Sequence, residues 1–251
     1  MLVPEELKRY GFQRKLKLID QIWLDYVQDH LLNLLYREYP DLVFRGGTCL
    51  WKVYGGQRFS EDLDLAIEEA PGGLAEYLLK ELELLGFTVG VEKERETENM
   101  YRLRLGVDRP DSSSTTPVSV EILKDSTSKE KITEKEIHSP YPDVPRIDVR
   151  ALTKDALLAE KISAICERNR PRDMDDVYRL LKNGAEVTLD TVRDEYRDFT
   201  MEVFEESLEE KKSGWEGLES LMVGDLPKFE KEKQYILQSI QKMLGKDSRR
   251  S

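Results

Sequence analysis

The sequence predicts an α+β fold: a mixed β-sheet flanked by helices, followed by a helical C-terminal domain. Two observations carry this expectation. Up to about residue 125, short runs of alternating apolar and polar side chains are interleaved with helical patterns. From Thr153 onward the apolar spacing is helical almost throughout. A chain of 251 residues can build one large domain or two modest ones, and the change of character places the expected domains at 1–149 and 150–251.

The elements follow in order. Leu16, Ile19, Trp23, Val27, Leu31 and Leu34–Leu35 are helically spaced, giving an amphipathic helix over about 14–37 that ends before Pro40. Leu42–Phe44 reads as a short buried strand running into Gly46-Gly47, and a second helix runs from Thr48 to the Gly55-Gly56 pair. Leu63, Leu65 and Ile67 alternate with Asp62, Asp64 and Ala66 as the next strand. A helix over about 72–85 stops at Gly86, and Phe87–Val91 is a further strand. Tyr101–Val107 and Val118–Ile122 alternate as two more, joined by a Ser/Thr/Pro-rich loop at 108–117. Residues 126–149 hold three of the ten prolines and read as a connecting segment. Helices are expected at 153–169, 171–183, 188–210 and 227–244, with a frayed tail KDSRRS.

Composition narrows the class. Charged residues make up 35% and hydrophobic residues 39%, with net charge -11, so a soluble globular protein is expected rather than a general polyanion binder. Mean hydropathy is -0.58. The two cysteines, Cys49 and Cys166, suggest neither a disulfide framework nor a metal spacing. The stretch MLVPEELKRY has no apolar signal core, and no run approaches a membrane span, so a cytoplasmic protein without membrane contact is expected.

Chemistry concentrates in RGGTCLWKVYGGQRFSEDLD, residues 45–64. Residues two apart on a strand share a face, so Asp62 and Asp64 point one way while Leu63 and Leu65 enter the core. Two adjacent carboxylates repel unless a cation sits between them, and Mg²⁺ resolves such a conflict with carboxylates and substrate phosphates. The bland alternative is a solvated strand edge. Gly46 and Gly47 let the backbone approach a ligand, and Thr48 opens a helix whose N-terminus suits phosphate. Arg58 and Ser60 are placed to contact the same polyphosphate. Glu121 lies opposite the apolar set of its strand; beside the Asp strand it would make three carboxylates on one patch, as two-metal nucleotidyl transfer needs. It is also a candidate base for an incoming hydroxyl.

The helical half adds LLAEKISAICERNRPRDMDDVYRL, residues 157–180. Lys161 stands among apolar neighbours as a candidate phosphate contact. Asp173 and Asp176, three apart, share a helix face after Pro171. The macrodipole alone accounts for Asp173 but less well for Asp176 and Lys161. The arginines at 102, 104, 168, 170 and 172 would suit RNA if they line one groove; otherwise they pair with surface acids.

Gly46-Gly47-Thr48, Arg58-Phe59-Ser60-x-Asp62-Leu63-Asp64, Val120-Glu121-Ile122 and Glu160-Lys161 followed by Arg172-Asp173-x-x-Asp176 resemble the AbiEii/AbiGii (MenT-type) nucleotidyltransferase toxins. Trp215 to Leu218 and Leu226-Pro227-x-Phe229 resemble that family's C-terminal helices, and the similarity spans roughly 15–240 in matching order. The resemblance implies a polymerase-β-type nucleotidyltransferase fold whose helical C-terminal domain completes the active site. It implies Mg²⁺-dependent transfer from an NTP, with Mn²⁺ as a substitute, to the 3′ end of a tRNA, opposed by a cognate antitoxin protein. By motif, Gly46, Gly47 and Thr48 hold the triphosphate, and Asp62, Asp64 and Glu121 are the metal-binding acids. Lys161 contacts the nucleotide, and Asp176 is the acid of the last motif, which Asp173 shares. Protein nucleotidylation and a non-catalytic nucleotide-binding module are the alternatives.

Overall fold

Residues 1–247 are described in a computed structural model and divide into two units. The first comprises Met1–Gly55 and Phe59–Ala151; the second comprises Gly56–Arg58 and the chain from Leu152 onward. The tail expected to fray lies, from residue 248, outside the described residues. No helix among the described residues is long and apolar enough to cross a membrane.

The first unit opens with α1 (Pro4–Gly11), for which the sequence reading has no counterpart because only Leu7 and Gly11 are buried and no apolar stripe forms. Pro4 at the first turn, acids after it and bases at the end still favour a helix. A 3₁₀ turn at Phe12–Arg14 and left-handed Lys15 (φ 61°) interrupt the chain. The next helix, α2 (Ile19–Glu38), therefore begins later than the expected residue 14. β1 (Val43–Arg45) runs directly into α3 (Gly46–Tyr54), which starts at Gly46 rather than Thr48 and stops at left-handed Gly55. β2 (Asp62–Ile67) and α4 (Leu74–Leu84) follow. Gly86 (φ 90°) ends α4 as expected, with the amides of Gly86 and Phe87 returning to Glu83 and Leu82.

Four pieces of the sheet remain: β3 (Val89–Glu96), β4 (Met100–Asp108), β5 (Thr115–Lys124) and the pair β6 (Ile132–Ile137) and β7 (Ile147–Leu152). Two expectations are corrected here. The strand expected at 87–91 runs instead over Val89–Glu96, and the connecting segment at 126–149 contains β6 and the first half of β7. Both misses have one cause. β3 and β6 are the two edges of the sheet and bury almost no side chains, so they lack the alternation that marks a half-buried strand. The prolines at 140, 142 and 145 conceal the start of β7.

The seven strands form one mixed sheet in the order β3-β4-β5-β2-β1-β7-β6. β2 is central: it pairs antiparallel with β1 and parallel with β5. Phe44, Leu63, Leu65, Leu103, Val120 and Ile122 are fully buried along it and its neighbours.

Beside this apolar core lies a closed ionic cluster. Lys52 of α3 reaches Asp25 and Asp29 of α2, both at 2.6 Å, and Arg14 reaches the same pair at 2.7 and 3.1 Å. Tyr141 donates to Asp25 at 3.0 Å, and Ser139 donates to Asp29 at 2.7 Å. Burial alone would raise the Asp25 pKa, but Lys52 and Arg14 outweigh it and hold the carboxyl below its ordinary value.

In the second unit, α5 (Lys154–Glu167) is capped by Thr153, whose hydroxyl accepts from the Ala156 amide at 3.2 Å. α6 (Pro171–Lys182) follows, also close to expectation. The single helix expected at 188–210 is two, α7 (Leu189–Glu195) and α8 (Met201–Glu210). Thr200 breaks it by capping α8 through the Val203 amide, and buried Phe199 packs on Phe204 as a hydrophobic staple. A 3₁₀ segment, Lys211–Leu221, leads to α9 (Phe229–Asp247). Residues 56–58 belong to this unit because Gln57 accepts from the Val223 amide and Arg58 bridges Met222.

Replacing Lys52 by Met removes one of the two cations, Lys52 and Arg14, that offset the buried carboxylates of Asp25 and Asp29. Urea unfolding should show a loss of about 3–5 kcal/mol. A loss below about 1 kcal/mol would mean that the cluster is not desolvated as described.

Candidate active site

β2 presents Asp62 and Asp64 on its partly open face, while Leu63 and Leu65 are buried on the other. Its lead-in is tied down by two side chains. Buried Gln28 of α2 donates to the carbonyls of Ser60 and Glu61 at 3.0 and 2.8 Å. Thr48 of α3 donates its hydroxyl to the carbonyl of Asp62. That bond and complete burial commit the Thr48 hydroxyl to the backbone, which differs from the expected phosphate contact. Ser60, expected to meet the same polyphosphate, is also buried.

Gly46 is required twice over. Its φ is 72°, and a Cβ there would collide with the Asp64 carboxylate. The first turn of α3 therefore passes directly against Asp64, and Gly47 is buried beside it. Arg45, at the end of β1, stands opposite Asp64 in register.

Glu121 of β5 is in direct register with Asp64 of β2, and Ser119 with Asp62. In a parallel pair, registered residues share a face, so the three acids lie on one side of the sheet. The side chain of Glu121 turns toward the other neighbour: Arg102 of β4 lies 3.4 Å away, and the two residues are registered partners. Accordingly, no group of three or more His, Cys, Asp or Glu side chains among the described residues is gathered to hold a metal. A hard cation bound by one or two carboxylates and completed by phosphate oxygens needs no such cage, and the Asp62–Asp64 pair has the right donor chemistry for it.

The second unit carries the remaining sequence-predicted residues. Arg58 is 3% exposed and forks onto Asp176, Nε to Oδ1 and Nη2 to Oδ2, both at 2.7 Å. The polyphosphate contact expected of Arg58 is thus replaced by a buried carboxylate. Lys161 of α5 reaches Asp176 at 2.7 Å and Asp173 at 3.1 Å, and Arg168 forks onto Asp173 at 2.8 and 2.9 Å. Burial would raise the Asp176 pKa, but Arg58 and Lys161 hold it well below the usual carboxylate range. Burial would lower that of Lys161, yet Asp176 and Asp173 raise it. The ammonium is a permanent cation locked between acids and cannot act as a base near neutral pH. Of the five arginines expected to line a groove, 102 and 104 belong to the first unit and 168, 170 and 172 to the second.

Sequence reasoning missed a further pair. α6 also buries Asp175, and α9 buries Glu232. With both ionised, neither Glu232 oxygen has a donor, and Arg179 reaches only Oδ1 of Asp175, at 3.1 Å. Burial first, then the charge of Asp175, push the Glu232 pKa up to about 9. Glu232 therefore keeps its proton at neutral pH and hydrogen-bonds to Asp175 with it. An i,i+4 acid–arginine pair is visible in the sequence, but nothing local signals a partner near the other end of the unit.

Comparison with known proteins identifies the family and the fold. A family model described as nucleotidyl transferase AbiEii toxin, type IV TA system, matches residues 33–242. No curated protein sequence matches the chain. Among solved structures, it is similar to MenT4, a nucleotidyltransferase toxin from Mycobacterium tuberculosis H37Rv. The TM-score is 0.63 at 20% identity, covering 99% of this chain and 93% of that one. It is also similar to JHP933 from Helicobacter pylori, with TM-score 0.59 at 18% identity, covering 91% and 95%. These likenesses establish a nucleotidyltransferase fold.

The Asp175–Glu232 pair makes stability depend on pH. The folded-state pKa of Glu232, about 9, lies above its ordinary 4.5, so its contribution is complete below about 4.5 and is lost as pH rises toward 9. Denaturant midpoints measured from pH 5 to 9 should fall for the wild type, and Glu232→Gln should flatten the fall. Parallel profiles for the two proteins would contradict this assignment.

Proposed function

Because the chain belongs to the AbiEii nucleotidyltransferase toxin family of type IV toxin–antitoxin systems, we propose that it transfers a nucleotide from an NTP to the 3′-terminal hydroxyl of an RNA, a tRNA in the first instance. A cognate antitoxin protein opposes the activity. The observation that carries this reading is the acid pair of β2, set in a central strand beside a glycine helix start.

In this proposal Asp62 and Asp64 hold Mg²⁺, or Mn²⁺ in its place. When bound, the cation neutralises charge on the triphosphate and on the leaving pyrophosphate. Gly46 and Gly47 bring the first amides of α3 to the phosphates, where the helix N-terminus favours negative charge. Gln28 and Thr48 act as positioning residues, since each holds a carbonyl in the lead-in to β2. The acceptor oxygen forms a bond to the α-phosphorus, the bond from that phosphorus to the α,β-bridging oxygen breaks, and pyrophosphate departs. Glu121 takes the hydroxyl proton, being the third carboxylate on the same face. Lys161, Asp173 and Asp176, with Arg58, serve the second unit as a positioning network. Their ion pairs fix how α5 and α6 meet the 56–58 segment.

The test is incubation of the full chain with each α-labelled NTP in turn, Mg²⁺ and total RNA. Label should enter an RNA band, and Asp64→Ala should reduce transfer on the order of a thousandfold while melting like the wild type. Label in protein alone, or label confined to nucleotide while binding persists, would overturn the RNA-acceptor reading.

A further inference from the structure

Register places an unusual set of charges on the sheet face that carries Asp62 and Asp64. Across β3, β4, β5 and β2, one row reads Arg95, Arg102, Glu121, Asp64, and the next reads Lys93, Arg104, Ser119, Asp62. Neighbouring strands lie about 4.8 Å apart, and residues two apart on a strand are about 6.6 Å apart. Four cations thus form a compact block that abuts the acid pair through β5.

Two features separate this block from an ordinary solvated face. First, Arg95 stands directly opposite Arg102, and Lys93 directly opposite Arg104. Like charges in cross-strand pairs destabilise a sheet, and a chain of net charge -11 has acids to spare for such positions. Arg102 pairs with Glu121 and Arg104 with Glu92, but neither Lys93 nor Arg95 has an ion-pair partner among the described residues. All four cations are exposed. Second, the block borders two hollows that share lining residues. A groove of about 160 Å³ is lined by Lys93, Arg95, Arg102, Arg104, Ser119 and Glu121. A larger hollow of about 340 Å³ shares Arg104 and Ser119 with it and adds apolar Leu24, Phe59 and Pro117 together with three acids, Asp20, Glu61 and Asp62.

We propose that this face is the docking surface for the acceptor strand. Phosphodiester groups lie along Lys93, Arg95, Arg102 and Arg104, and the terminal nucleoside lies in the hollow beside Asp62. Guanidinium forks match phosphate oxygens, and a basic lane ending in a partly apolar slot suits a single-stranded nucleic acid. An acidic protein would use the basic lane but has no need of the slot at Asp62. The inference rests on the RNA-acceptor reading for the hydroxyl, and adds where the strand lies and which way it runs toward the acids.

The experiment uses the full chain with a hairpin RNA bearing a four-nucleotide 3′ overhang, without NTP, across a series of salt concentrations. The double variant Lys93→Glu/Arg95→Glu should bind about tenfold or more weakly, with a log–log salt slope smaller by about 1.4, the value for two lost single-strand phosphate contacts. It should melt no lower than the wild type, because each new acid faces a cation. Lys93→Gln/Arg95→Gln should show a smaller loss in the same direction. Unchanged affinity and slope in both variants would overturn the surface, even if the wild type labels RNA normally. Unchanged RNA binding with lost binding of an acidic antitoxin would overturn it in favour of a protein partner. If labelling fails in the wild type while the RNA-binding loss is observed, the surface stands and the transfer reading fails.

Discussion

The register of β2 is the constraint on which the site depends. Side chains on a strand alternate, so a slip of one residue would bury Asp62 and Asp64 and expose Leu63 and Leu65. The fold prevents this in two ways. Leu63 and Leu65 are fully buried between β1 and β5, and the backbone just before and at the start of β2 is held by Gln28 and Thr48. Each tether is a buried side-chain donor spent on backbone carbonyls, Gln28 on those of Ser60 and Glu61 and Thr48 on that of Asp62. With the register fixed, the acids can only face outward, and the glycine at the start of α3 can only approach Asp64.

Charge is treated differently in the buried clusters and on the sheet face. Arg14, Lys52, Asp25 and Asp29 close on one another in the first unit, and Arg58, Lys161, Arg168, Asp173 and Asp176 do so in the second. Such buried pairs gain little net stability over apolar packing, but they penalise any arrangement that separates them, which makes them geometric pins. On the sheet face, by contrast, Asp64 is registered with Glu121, and Lys93 and Arg95 with Arg104 and Arg102, alongside the opposite-charge pairs Arg102–Glu121 and Arg45–Asp64. Side-by-side acids and facing cations are what a site for a metal and an anionic substrate requires, and folding alone gives no reason for them.

Much of this was legible in the sequence where burial imposes a period. The alternation at 62–67, 101–107 and 118–122 and the helical spacing of α2, α5 and α6 all reflect a face turned to the core. The acid pair was legible for the same reason, because Leu63 and Leu65 assign Asp62 and Asp64 to the opposite face. Elements with little core contact were not: α1, β3 and β6 bury too few side chains to show a pattern. Thr200 hid inside an apparently continuous helix because capping depends on one hydroxyl rather than on periodicity. Partner choice was the least legible. Arg58 reads locally as a companion of Asp62, yet it meets Asp176, 118 positions away. Lys93 and Arg95 gain meaning only when β4 sets Arg104 and Arg102 opposite them.

The central claim is that Asp62 and Asp64 form a divalent-cation site used with a nucleotide. Mn²⁺ binding, followed by electron paramagnetic resonance in the presence of a non-hydrolysable NTP, tests it most directly. The wild type should take up Mn²⁺ at a saturable site that Mg²⁺ displaces, and Asp62→Asn and Asp64→Asn should each abolish that uptake while leaving the protein folded. Equal uptake by the wild type and both variants would contradict the account.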